Sequence, residues 1–290
     1  MQPSRYEGAD PCVADLFAGT GYLVGRFRCG PESSRWREVN WIGEQPHVVV
    51  PHTTVRLLPA AGEAYVSTVN DVILYDRDVH YRRQLVSDEG DRCTFVVVGD
   101  ALAHELGLER GQPSSRPRLR HGPSGATAFA RSHGIRAALA DPDPDRLLVD
   151  ELVMAVLAHA ARRVVEPASD VAAGRHQQRA VEDVKAALAA EPARVWRLAE
   201  LADLVHYSPY ALARLFRRRT GYSIVGYRRE LRLRESLAHM LRGTRDLSEI
   251  AARLGFSSHS HYTRAFRQAF GCTPSQARRR GPRAWSGVRG

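Results

Sequence analysis

The chain has 290 residues, 43% hydrophobic and 26% charged, with 42 Lys+Arg against 32 Asp+Glu and a net charge of +10. Length alone suggests about two domains, no apolar run approaches the ~20 residues of a membrane span, and the N-terminus lacks a signal-peptide pattern, so a cytoplasmic protein without membrane contact is expected. The four cysteines, Cys12, Cys29, Cys93 and Cys272, form no CxxC pair, which speaks against a disulfide framework or a zinc knuckle and for free thiols.

In chain order, the first motif is Asp15-Leu-Phe-Ala-Gly-Thr-Gly21, which looks like the glycine-rich loop with which methyltransferases hold S-adenosylmethionine. That alternative would make the protein an S-adenosylmethionine-dependent enzyme fused to the module that follows it. Its glycines at 19, 21 and 25 miss the GxGxxG spacing and no helix pattern follows, so no catalytic residue and no cofactor are assigned. From about Gly21 to Val98 come the β-rich runs GYLVGRFRC, VNWIG, HVVV, TTVRLL, AYVSTV, VILYD, YRRQLV and CTFVVV. Short runs at such spacing predict an all-β sandwich or barrel, placed at 13–110. His47, His52, His80 and Cys93 lack the spacing of a metal site and read as structural or solvated, so no metal is expected. Trp36, Trp41, Tyr65, Tyr75 and Tyr81, with Arg82 and Arg83, could line or rim an effector pocket.

A Pro/Ser/Arg-rich stretch at 111–125 reads as a boundary loop, and 126–165 as a helical segment. Its clearest face, Leu148, Leu152, Ala155, Val156 and His159, suits docking on the sheet or dimerisation. Residues 166–176 read as a linker, 177–280 as an all-helical domain and 281–290 as a disordered tail. The charge divides at the same place: residues 175–290 hold 23 Lys+Arg against 9 Asp+Glu, or +14, and the remainder holds 19 against 23, or −4. Basic charge gathered in one segment is the footprint of a polyanion partner.

The helical half contains a repeat. Leu198, Leu201, Ala202 and Val205 are spaced 0, 3, 4, 7, and Leu247, Ile250, Ala251 and Leu254 repeat that spacing, each marking one apolar stripe of a short helix. After a turn, Ser208-Pro209 caps a new helix, and Ser257 or Ser258 does the same in the second copy. Leu212 with Phe216, and Tyr262 with Phe266, form the buried pairs, while Gly221 and Gly271 end the helices. Two helices joined by a short turn, occurring twice, is the helix-turn-helix pattern. Residues 223–243 between the copies read as a connecting helix about 30 Å long, with Arg228, Arg229, Arg232 and Arg234 largely off its apolar face. That length is close to the ~34 Å between successive major-groove faces of B-DNA. With the buried pairs inward, the exposed faces carry Tyr210, Arg214, Arg217 and Arg218 in the first copy and His259, Ser260, His261, Thr263, Arg264 and Arg267 in the second. N-terminal residues of such a helix reach base edges and later ones reach phosphate, so these are the expected DNA-binding residues.

Ile250-Ala251, Leu254-Gly255-Phe256, Tyr262, Arg264, Phe266, Gly271, Pro274 and Arg278 resemble the AraC/XylS transcription regulators, as do Leu201-Ala202, Ser208, Leu212, Phe216, Gly221, Tyr227, Arg232-Leu233 and Leu237. His206 departs from the second copy, standing where that copy has Gly255. The resemblance covers about Arg179 to Arg280. It implies an α+β chain with an N-terminal cupin-like β-barrel that senses an effector or dimerises, ahead of an all-α domain with two helix-turn-helix motifs. It further implies a transcription regulator, more often an activator, whose partners are double-stranded promoter DNA, RNA polymerase, a small-molecule effector and a second copy of the chain.

Overall fold

The computed structural model describes residues 11–86, 88–108, 118–164, 173–241, 243 and 246–285. The N-terminal half contains β1 (Val13–Gly19), β2 (Tyr22–Cys29), β3 (Asn40–Trp41), β4 (His47–Pro51), β5 (Val55–Pro59), β6 (Tyr65–Ser67), β7 (Asp71–Tyr75), β8 (His80–Leu85), β9 (Asp91–Val98) and β10 (Leu119–Pro123). They pair antiparallel into two sheets, ordered β1-β2-β9-β4-β7-β10 and β3-β8-β5-β6. Among the described residues no ladder joins the edge strands, so the expected barrel is instead a pair of open sheets. β10 lies inside the stretch expected to be a boundary loop; Leu119 to Pro123 pair in register with Tyr75 to Asp71, which carries the sheet beyond residue 110.

The runs HVVV, VILY and FVVV lack strict alternation because both faces of the larger sheet are covered. Leu23, Val49, Ile73, Phe95 and Val97 face the smaller sheet, packing with Val55, Leu57, Tyr65 and Tyr81. Their neighbours Val24, Val48, Val50, Val72, Leu74, Val96 and Val98 face a helical layer. Burying each such side chain is worth about 1.5–3 kcal/mol. The motif at 15–21 spans β1 and the tight turn into β2, with Gly19 opposite Tyr22 and Gly21 at φ +77. A strand, not a helix, follows the glycines, which removes the geometry that a cofactor-binding loop requires.

After α1 (Asp100–Glu105), the segment expected to be helical forms two helices, α2 (Gly125–Ala138) and α3 (Arg146–Arg163). The Asp145 side chain caps α3 by accepting from Leu148 N at 3.2 Å. Leu152 and Val156 are buried in the core below the larger sheet, so the apolar face of α3 is used within the chain.

The C-terminal half comprises α4 (Ala173–Ala190), α5 (Leu198–Leu204), α6 (Pro209–Thr220), α7 (Ile224–Leu241), α8 (Leu247–Arg253), α9 (His259–Phe270) and α10 (Pro274–Arg280). Two expectations are corrected here. Residues 173–176, read as linker, open α4; the rest of that linker lies outside the described residues. The supposed disordered tail forms a 3-10 turn, Gly281–Ala284, and buries Trp285, whose carbonyl accepts from Arg131 Nε on α2. Residues 286–290 lie outside the described residues. One continuous apolar core runs from the outer face of the larger sheet through α2 and α3 into the helix-turn-helix helices. The change of charge near residue 175 therefore marks no break in the core.

Polar groups join the halves as well. Lys185 of α4 is buried against Glu182 at 3.1 Å and Asp71 of β7 at 3.7 Å, and it sits 3.9 Å from the Tyr65 ring centre. Glu182 accepts from Val66 N at 2.7 Å. From α7, Tyr227 meets Thr68 Oγ1 at 2.6 Å, and Arg234 donates to Asn70 Oδ1 at 2.5 Å and to Glu230 at 3.0 Å. Arg234 is wholly buried, contrary to its expected outward position.

His47 is buried between the sheets, stacked on Phe95, with Nδ1 2.9 Å from Gln45 O. Burial pushes its pKa down to about 4. A histidine held neutral contributes stability fully present above its unfolded pKa of ~6.5 and lost as pH falls towards the folded value. Denaturant midpoints are therefore expected to decline between about pH 6.5 and pH 4, and less steeply in His47→Gln than in the parent. Equal slopes for the two proteins would show that His47 is not buried neutral.

Candidate nucleic-acid interface

Both helix-turn-helix units are built from local signals. Ser208 caps α6 by accepting from Ala211 N at 3.2 Å with Pro209 at the first helical position, and Ser258 caps α9 by accepting from His261 N at 3.1 Å. Asp246 caps α8 through Ser248 N and Glu249 N. Gly221 and Gly271 end α6 and α9 at φ +76 and +74, as the spacing predicts. Leu212, Phe216, Tyr262 and Phe266 are fully buried. The intervening α7 has 18 residues, or about 27 Å of helix.

The two turns share a left-handed residue, His206 at φ +57 and Gly255 at φ +72. A non-glycine residue is strained there, and His206 is exposed. His206→Gly is expected to stabilise the protein by about 0.5–1 kcal/mol, since glycine's extra unfolded-state entropy offsets part of the relieved strain. A lowered thermal midpoint would contradict it.

The faces left open carry most of the expected residues. On α6, Tyr210, Arg214 and Arg217 are exposed, and the Arg214 guanidinium lies 5.6 Å from the Tyr210 ring centre. Arg218 is exposed but leans back on α4, donating to Gln177 Oε1 at 2.9 Å. On α9, His259, Ser260, His261, Arg264 and Arg267 are exposed and Thr263 is half-buried. His259 is held between Ser248 Oγ at 3.4 Å and Thr263 Oγ1 at 3.3 Å, and His261 meets Ser257 Oγ at 2.9 Å. Ser257, Ser258, Ser260, His261 and Arg264 line an open cleft of about 560 Å³ at the start of α9. Hydroxyls, ring nitrogens, a guanidinium and the free N–H groups of a helix N-terminus there suit phosphate oxygens and base edges.

Of the four arginines assigned to the outer side of α7, Arg229 alone is exposed; Arg232 and Arg234 are buried, and half-buried Arg228 donates to Arg194 O at 3.0 Å. A charged residue signals a solvated face only where no carbonyl or carboxylate from another element reaches it.

The expected effector residues do not share one place. Tyr65, Tyr75 and Tyr81 lie between the sheets, with half-buried Trp36 packed at that core's margin. Trp41 is exposed, stacked on His80, and Arg82 is exposed. Strand alternation turns its neighbour Arg83 inward, where it donates to Tyr81 Oη at 2.7 Å, pairs with Asp91 at 3.0 Å and covers Phe27. Period-two alternation along YRRQL was the signal that could have singled out Arg83. His47 and Cys93 face the same interior, His52 meets His133 of α2 at 2.9 Å, and His80 is exposed. Among the described residues no group of three or more His, Cys, Asp or Glu is arranged to hold a metal. No described helix is long and apolar enough to cross a membrane.

Residues 201–280 match the family model for a helix-turn-helix domain. The HTH-type transcriptional activator RhaR of Pectobacterium atrosepticum is 30% identical over 133 residues, 46% of this chain and 46% of that protein. A Streptomyces lividans protein named as an AraC-like transcription regulator is 28% identical over 141 residues, 48% of this chain and 46% of that one. The chain thus aligns with less than half the length of these curated relatives. A crystal structure of ToxT from Vibrio cholerae O395 aligns with 92% of this chain and 99% of its own, at 14% identity and a TM-score of 0.36.

Proposed function

We infer that the chain, whose helix-turn-helix half is of the AraC/XylS type, is a sequence-specific DNA-binding transcription regulator. The observation that carries this is the pair of helices α6 and α9, each with a buried aromatic or aliphatic seam and an open polar face, joined by one continuous helix about 27 Å long. In this reading α6 and α9 enter successive major-groove faces on one side of promoter DNA. Tyr210, Arg214, His259, Ser260, His261, Thr263 and Arg264 meet bases or adjacent backbone; Arg217, Arg218 and Arg267 meet phosphates. The N-terminal half, a two-sheet module of cupin-like kind, senses a small effector near Tyr75, Tyr81 and Arg83 between the sheets with Trp36 at their margin, and it supports pairing of two copies. The regulator acts in the cytoplasm, chiefly as an activator that engages RNA polymerase, and performs no chemistry.

Binding of the full chain to duplexes enriched from a random pool tests the reading. Affinity is expected to fall steeply with salt, by a log–log slope of about −0.9 for each phosphate contacted. A flat salt dependence, or no enriched sequence, would refute it.

A further inference from the structure

Arg232 is 9% exposed on α7, and its guanidinium makes three hydrogen bonds to backbone carbonyls. Nε donates to Pro192 O at 2.6 Å and Nη2 to Ala193 O at 2.9 Å. Nη1 donates to Gly255 O at 3.0 Å. The first two carbonyls belong to the segment between α4 and α5, which leads into the first helix-turn-helix unit. The third is the turn of the second unit. One helical turn earlier on α7, Arg228 donates to Arg194 O of that same segment. A planar fork thus joins the segment that leads into the first unit to the turn of the second, on the helix that separates the units, and it sets their angles in a way that a point-charged ammonium does not.

Gly255 carries the same message independently. A Cβ at this position would stand 3.0 Å from Ala193 O and 3.1 Å from Arg232 Nη2, tighter than ordinary contact, so glycine favours this close approach as well as φ +72. The equivalent residue of the first unit, His206, has the same backbone conformation, yet its side chain is exposed. The preference for glycine at the second turn therefore reflects the close approach of Ala193 O and Arg232 in addition to the backbone conformation the two turns share.

We propose that Arg232 is a positioning residue that fixes the orientation of α9 relative to α6, and through it the spacing between half-sites that the protein accepts. The inference rests on the DNA-reading function above for its consequence, though not for its geometry. A rigid α7 sets how far apart the units are; the Arg232 fork sets how they are rotated. One base pair inserted between half-sites rotates the second by about 34–36° and moves it ~3.4 Å, which a clamped pair cannot follow.

Two measurements on the full chain test this. The first is free of DNA: spin labels at Asp203→Cys on α5 and Arg253→Cys on α8, both exposed, report the distance between units by pulsed electron resonance, the four native cysteines all being buried. The distribution is expected to be narrow in the parent and broadened or shifted in Arg232→Gln, Arg232→Lys and Gly255→Ala. The second uses the two-box duplex enriched from a random pool by the parent protein, with one base pair added or removed between the boxes. The parent is expected to lose roughly tenfold or more in affinity and Arg232→Gln about threefold or less, while each box alone binds both proteins within about twofold. An unchanged distance distribution, or a spacing penalty that Arg232→Gln retains in full, would overturn the proposal. If the parent enriches no two-box duplex, the functional reading fails and the distance measurement alone decides the clamp. If Arg232→Gln does not fold, Arg232→Lys, which keeps the charge and loses the fork, carries both measurements.

Discussion

Lys185→Met is expected to destabilise the protein by about 3–5 kcal/mol, read as a lower urea midpoint with an unchanged slope. Lys185 is the sole lysine of the chain, and its ammonium is 3% exposed between two carboxylates that are themselves shielded from water. Burial pushes the Glu182 pKa up, and Lys185 together with the Val66 amide pulls it back down. Removing the cation leaves Glu182 and Asp71 side by side in a low-dielectric seam. Each carboxylate keeps two other donors, Thr68 N and Thr68 Oγ1 for Asp71 and Val66 N and Gln178 Nε2 for Glu182, so the loss falls chiefly on Glu182 because Lys185 stands 3.1 Å from it against 3.7 Å from Asp71. Lys185→Met combined with Glu182→Gln is accordingly expected to recover a large part of the loss, because breaking a buried pair costs far more than replacing it whole. A cost below about 1 kcal/mol for the single variant would mean that water reaches the seam. The consequence extends beyond stability. Lys185 and Glu182 tie α4, the first helix of the helix-turn-helix half, to the strands of the other half, so the single variant should also loosen the joint between the two halves.

The second large effect is on binding. Arg214→Ala and Arg264→Ala are each expected to cost about 1–3 kcal/mol at the selected duplex and to relax specificity, and the double variant about 2–6 kcal/mol. The sum is expected because the two side chains stand on different helices, Arg214 on α6 and Arg264 on α9. Both are exposed, so the unfolding free energy should stay within about 0.5 kcal/mol of the parent, which separates loss of contact from loss of fold. Unchanged affinity in a gel-shift titration of the double variant would remove both residues from the interface.

Much of the helical half was legible locally. The 0, 3, 4, 7 stripes, Ser208 and Ser258 as caps, and Gly221 and Gly271 as left-handed ends each depend on neighbours within a few residues, and the structure places them accordingly. His206 belongs with them in part: alignment of the two copies sets it opposite Gly255, and the structure gives both a left-handed backbone. The eight β-rich runs were legible as well, whereas β1 was hidden by its likeness to a glycine-rich loop and β10 by its prolines and arginines.

What the sequence by itself determined is the set of elements with one apolar and one polar face, because such periodicity is written into each segment and read without its neighbours. Tertiary structure alone decided where the exceptions go. Arg83 rather than Arg82 turns inward because the register of β8 selects one parity. Arg232 and Arg234 are buried because carbonyls at 192, 193 and 255, and the side chain of Asn70, come to meet them from other elements. Trp285 is ordered because α2 offers it a core 154 residues away in sequence from its Arg131 partner. The sheets remain open, and the two halves share a core, because an apolar face does not specify which distant face will cover it. Local pattern sets what each segment must hide, and only the assembled fold supplies what hides it.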